Sequence, residues 1–157
     1  MNTQQFVQIE PSLTLDVVNN IDFVKLYQLL REISPLYPNF VSWLNFTFRR
    51  NMNCGERKIA FAHNGTDIVG AALLKQSEQE HKICTFIIDE QYRGNHIGSK
   101  LMDLALETLD HQDTCITVSS ERNDELAPLL LSKGFALNNA VEGYYRPNST
   151  EYFYSLK

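Results

Sequence analysis

Between Cys84 and Leu109 the apolar pattern changes period, from that of a strand to that of a helix, across a glycine-containing turn. Cys84 to Ile88 is a short, apolar, β-favouring run, which predicts a buried strand. Asp89 to Asn95 is polar and holds Gly94, which predicts a turn. From there Ile97, Leu101, Leu104, Ala105 and Leu109 recur at the spacing of one buried helical face. A helix start presents unpaired backbone N–H groups and a partial positive charge. Gly94 and Gly98 at that start, with Arg93 and Ser99 beside them, suit an anion, phosphate in particular. The segment reads as a pyrophosphate cradle.

The flanking sequence embeds this cradle in an α/β pattern. Phe6 to Ile9 can form a short strand and Leu13 to Val18 a second. Asn19-Asn20 offers a turn and helix cap before an amphipathic helix over Ile21 to Ile33, which Ser34-Pro35 ends. Pro38 to Met52 predicts a second helix, rich in aromatic residues that either pack in the core or wall a pocket. Lys58 to His63 and Asp67 to Leu74 flank Asn64-Gly65, a strong hairpin signal, and His81 to Asp89 continues the meander into the cradle. Thr114 to Ser119 predicts a strand. Asn123 to Lys133 predicts a helix that carries Pro128 early and stops at Gly134. Phe135 to Tyr145 and Tyr152 to Leu156 predict two closing strands. Counted from Leu13, this is a three-layer α/β (α+β) domain with a central mixed, mostly antiparallel sheet of about seven strands and helices on both faces.

One domain spanning residues 1–157 is the default for a chain of 157 residues. The net charge of −5 argues against a nucleic-acid partner, because phosphate contacts require a basic footprint. Cys54, Cys84 and Cys115 have no metal-like spacing and are read as reduced thiols in a cytoplasmic protein, with no metal. No signal-peptide pattern and no apolar run of membrane-spanning length is expected.

Tyr92 to Leu101, Tyr-Arg-Gly-Asn-His-Ile-Gly-Ser-Lys-Leu, resembles the acyl-CoA loop of the GNAT superfamily of N-acetyltransferases. Arg93 and Gly98 match its first and last positions and Gly94 its frequent Arg-Gly pair. His96 stands where the family usually places a glycine. Ile68-Val69-Gly70 and Lys133-Gly134-Phe135 resemble further family motifs, and the element order agrees. The resemblance implies acetyl-CoA as co-substrate, with its pyrophosphate on Arg93, Gly94, Asn95, His96, Ile97, Gly98 and Ser99. It implies a pantetheine arm along Phe86, Ile87 and Ile88, on a strand that splays from its neighbour, and Asn123 near CoA. An amine would attack the acetyl thioester directly, so the protein must handle an ammonium proton, an oxyanion and a thiolate.

The family's usual acid and base are missing. Leu129-Leu130-Leu131 stands where a tyrosine is frequent, and Lys82 is nearest to where some members carry a glutamate. The candidates left are Cys84, on the same strand face as Lys82, and Tyr144 and Tyr145, of which one at most enters the site if both lie on a strand. The leading expectation is an acetyl-CoA-dependent N-acetyltransferase acting on a small-molecule or peptide amine. The alternative, motivated by the missing residues, is a non-catalytic CoA-binding sensor or interaction module. A toxin that acetylates charged tRNA is disfavoured by the acidic charge. The last strands can also support a homodimer.

Overall fold

The computed structural model describes residues 5–10, 13–18, 21–111 and 113–156. Eight strands form one sheet: β1 Gln5–Glu10, β2 Leu13–Val18, β3 Arg57–His63, β4 Ile68–Gln76, β5 His81–Ile88, β6 Thr114–Ser119, β7 Ala136–Glu142 and β8 Thr150–Ser155. Their spatial order is β1-β2-β3-β4-β5-β6-β8-β7. These are the seven expected strands together with the short N-terminal one. Every neighbouring pair is antiparallel except β5 and β6.

Helices cover both faces. On one side lie α1 (Phe23–Leu30) and a composite second helix, α2. The latter starts α-helical over Phe40–Ser42, widens to π pitch over Trp43–Phe48 and tightens to 3-10 over Arg49–Met52. On the other side lie α3 (Ile97–Thr108) and α4 (Ser120–Ser132). Burial on both faces explains why the central strands read as nearly continuous apolar runs. Along β3, Ile59 and Phe61 pack with α1 and α2, whereas Ala60 and Ala62 pack toward α3. Small residues let the layers approach: a Cβ on Gly70 would stand 2.8 Å from Ile88 Cδ1.

Several local expectations shift. Asp22 caps α1, its carboxylate accepting from the Val24 and Lys25 N–H groups at 3.0 and 3.3 Å; the turn expected at Asn19-Asn20 lies outside the described residues. Because α4 begins at Ser120, Pro128 sits inside the helix rather than in its first turn. β7 stops at Glu142, so Tyr144 and Tyr145 belong to the turn that follows and not to a strand. Gly143, with φ of +69°, begins that turn.

Two irregularities in β5 shape the interior. In the β4–β5 ladder Leu73 faces Thr85 while Leu74 faces Ile83, so Cys84 is an extra residue, a β-bulge. The parallel ladder to β6 is confined to His81–Thr114, Lys82–Cys115 and Ile83–Ile116. Past Ile83, β5 stays with β4 as far as Ile88, while β6 stays with β8 as far as Glu151. The two strands therefore part, and a cleft opens through the sheet.

Candidate active site

On the α3–α4 side the cleft ends in a cavity of about 170 Å³ floored by Phe86 and Ile88 and closed by Arg93, Gly94, Gly98 and Leu129. The N–H groups of Gly94, Asn95, His96, Ile97, Gly98 and Ser99 make no backbone hydrogen bond among the described residues. Such a run of unclaimed donors at a helix start has the chemistry that a diphosphate requires. Gly94 and His96 are both left-handed, with φ of +85° and +63°, and left-handed residues are an ingredient of backbone concavities that bind anions. Histidine tolerates that conformation better than most residues, and its side chain is exposed. Its departure from the family pattern thus leaves the turn intact. A Cβ on Gly98 would lie 3.7 Å from Ile88 and 3.8 Å from Leu129, so any longer side chain would enter the cavity.

The predicted cofactor residues divide by role. Arg93 fastens the loop: its Nε donates to the Ile88 carbonyl at 3.0 Å, and its guanidinium meets Glu32 at 3.3 Å and Glu125 at 3.6 Å. Ile97 is buried in the core and anchors the helix start. Ile87 faces the α1–α2 layer, opposite Phe86 and Ile88. Asn123 stands in the first turn of α4, its side-chain oxygen accepting from the Tyr154 hydroxyl at 2.6 Å.

The opposite face holds a second cavity, of about 220 Å³. Tyr37, Phe40, Trp43 and Tyr145 wall it, and Arg57, Lys75, Lys82, Cys84, Thr85 and Thr117 are among the other residues that line it. The aromatic second helix therefore does double duty: Phe48 is core, and Phe40 and Trp43 reach the cavity. The bulge explains why Cys84 and its neighbour Thr85 both face this side.

Of the three candidate catalytic residues, two come together. Cys84 faces the cavity, with the Arg57 Nη1 donating to its sulfur at 3.4 Å. Burial pushes its thiol up, against the opposing pull of Arg57 and Lys82, so it stays protonated. Tyr145 also faces the cavity. Burial raises its phenol while the Lys82 ammonium lowers it. It stacks edge-on with Tyr37, their centroids 5.4 Å apart. Tyr144 is 52% exposed and reaches the site only by packing on Tyr145.

Tyr37, Thr117 and Glu151 belong to this neighbourhood and were missed in the sequence. Burial, with the Glu151 charge acting in the same direction, pushes the Tyr37 phenol up to about 12. Glu151 is 3% exposed, and its Oε2 has no hydrogen-bond partner among the described residues. Burial raises its carboxyl above the usual range, despite the Thr117 hydroxyl and the Lys82 ammonium pulling it back. By sequence Tyr37 falls just before the expected second helix and Glu151 just before the expected last strand, and no local signal marks either as a site residue. Only the pairing of Glu151 with Ser119 on β6 brings it inward. Among the described residues no cluster of His, Cys, Asp or Glu could hold a metal, and no helix is long and apolar enough to cross a membrane.

A family model described as acetyltransferase (GNAT) domain matches residues 38–141. No curated protein matches the chain. Among solved structures, Ard1 from Thermoplasma volcanium is similar at 20% identity, with 93% of this chain and 99% of that chain covered and a TM-score of 0.70. Arabidopsis thaliana Naa50 in complex with the bisubstrate analogue CoA-Ac-MVNAL is similar at 22% identity, 93% and 99% coverage and a TM-score of 0.66. Nourseothricin acetyltransferase is similar at 16% identity and a TM-score of 0.57. There the overlap takes in 64% of this chain and 65% of that one, so this chain spans less than two thirds of the other's length.

Proposed function

The chain belongs to the GNAT acetyltransferase family, and on that footing we propose that it moves an acetyl group from acetyl-CoA to a primary amine of a small molecule or peptide. The transfer is by direct attack within a ternary complex, with residues 1–157 acting as one domain. The observation that carries this reading is the parting of β5 from β6 beyond Ile83, with a donor-rich cavity on one face and an aromatic cavity on the other. A co-substrate threaded through that gap meets an acceptor on the far side.

In this reading the amides from Gly94 to Ser99 hold the pyrophosphate, and Gly98 leaves it room. The pantetheine arm lies along Phe86, Ile87 and Ile88, where β5 has lost its parallel partner and, apart from the Ile88 carbonyl that Arg93 takes, its open edge can pair with an extended amide chain. The thioester then emerges beside Cys84 and Thr85. As the C–N bond forms, the ammonium must lose a proton and the departing thiolate must gain one. Tyr145 is the proton donor, since its raised phenol keeps its proton at neutral pH and it faces the cavity. Glu151, next to Thr117 behind the cavity wall, receives the ammonium proton, and its raised carboxyl makes it a stronger base than a solvated glutamate. Cys84 is a neutral wall residue.

A neighbour bound to an analogue that joins CoA to a peptide supports keeping peptide amines among the acceptors. The described cysteines are free, which supports a cytoplasmic location. The edge strand β7 gives two copies a route to a homodimer by strand pairing. The test pairs calorimetric titration with acetyl-CoA and thiol release over a panel of amines. Saturable binding with CoA release for some acceptor is expected. No binding at millimolar acetyl-CoA overturns the reading, and binding with no productive acceptor selects the non-catalytic CoA sensor instead.

A further inference from the structure

Arg57 on β3 stands directly opposite Lys75 on β4, and Lys75 directly opposite Lys82 on β5. Partners opposite one another share a face, so three cations form a row across adjacent strands, and all three line the aromatic cavity. Like charges placed this way oppose folding, in a chain whose net charge is −5. Glu80, the one carboxylate lining the cavity among the described residues, pairs directly with Lys75 Nζ at 3.0 Å and acts on Arg57 and Lys82 only through space. Neither Arg57 nor Lys82 forms an ion pair among the described residues. Arg57 is 7% exposed, and its Nε is buried with no hydrogen-bond partner. The contacts it does make are weak ones: a sulfur, and the Phe48 ring 5.5 Å from its Cζ. A guanidinium taken out of water without a carboxylate is costly unless something else supplies the anion.

We propose that Arg57 and Lys82 form an anion subsite in the floor of the acceptor cavity, so that the acceptor is a small aromatic or apolar amine that also carries a carboxylate. This rests on the acetyltransferase reading and narrows its substrate. The planar fork of Arg57 suits a carboxylate, Lys82 adds a point charge on the same face, and Tyr37, Phe40 and Trp43 enclose the rest of the molecule. Glu151 lies behind Thr117, near enough to Lys82 and Tyr145 for their charges to interact.

Trp43 is the single tryptophan and lines the cavity, so its fluorescence reports occupancy without catalysis. The experiment titrates N-acetylphenylalanine and its neutral amide, with and without CoA, into the wild type, Arg57→Gln and Lys82→Gln. The acid is expected to bind about tenfold or more tighter than the amide to the wild type, and each substitution is expected to shrink that ratio. Equal or tighter binding of the amide, no response to either ligand, or an unchanged ratio in both variants overturns the subsite. Lys82→Gln serves where Arg57→Gln fails to fold, since Lys82 is only half-buried. Calorimetry with acetyl-CoA on the same wild-type protein judges the acetyltransferase reading separately: the acid-to-amide ratio without CoA stands whether or not CoA binds.

Discussion

Arg57 Nη1 donates to the Cys84 sulfur at 3.4 Å, joining residues 27 positions apart in the chain in the wall of the aromatic cavity. A cation so close would ordinarily favour a thiolate, but burial outweighs it and the Cys84 thiol is raised. The expected outcome is a sluggish cysteine. With an aromatic disulfide reagent at neutral pH, exposed Cys54 reacts first and Cys84 about tenfold slower or more. Mass mapping of the labelled peptides decides it, and Cys84 labelling ahead of Cys54 refutes the neutral thiol.

Tyr145→Phe removes the cavity's candidate proton donor but keeps the ring that stacks on Tyr37 and Tyr144. The turnover number is expected to fall about 100-fold or more, as for loss of a general acid, with the acetyl-CoA KM little changed. A drop of less than about threefold would return Tyr145 to the role of a packing residue.

Gly98→Leu should empty the cofactor site without unfolding the protein. The new Cβ fits at ordinary contact distance from Ile88 and Leu129, and the rest of the side chain fills the cavity of about 170 Å³. Calorimetry is expected to show acetyl-CoA affinity reduced by about tenfold or more, with the thermal midpoint within a few degrees of the wild type. Unchanged affinity would contradict the placement of the pyrophosphate.

Glu151 ties function to stability. Burial raises its folded-state carboxyl above the usual 4.5. A raised carboxyl leaves stability whole below its unfolded value and lowers it as pH climbs through the folded value. Glu151→Gln removes that loss. Denaturant melts at about pH 4 and about pH 8 should show the variant gaining on the wild type at the higher pH, while acetyl transfer falls. A variant that gains nothing at the higher pH would show that the buried Glu151 carboxyl is not raised, and one that transfers as fast as the wild type would show that Glu151 is not the base.

The sequence by itself determined what depends on local order. Apolar period and turn residues marked the strands from Leu13 onward, the hairpin at Asn64-Gly65 and the strand–loop–helix around Gly94 and Gly98. The cradle could be read because all its donors come from consecutive backbone groups of one segment. The acceptor side could not, because its chemistry is assembled across the sheet. The row of Arg57, Lys75 and Lys82 exists only through strand register, which no local period specifies. The bulge at Cys84 turns that residue and Thr85 to one side. Tyr145 enters the cavity because β7 stops at Glu142 and the chain turns back. Glu151 becomes a buried carboxyl held above its usual range only when β8 inserts between β6 and β7. In the proposed reading, how the co-substrate is held is thus a local property of the chain, whereas the acceptor cavity and the groups proposed to move protons depend on long-range pairing.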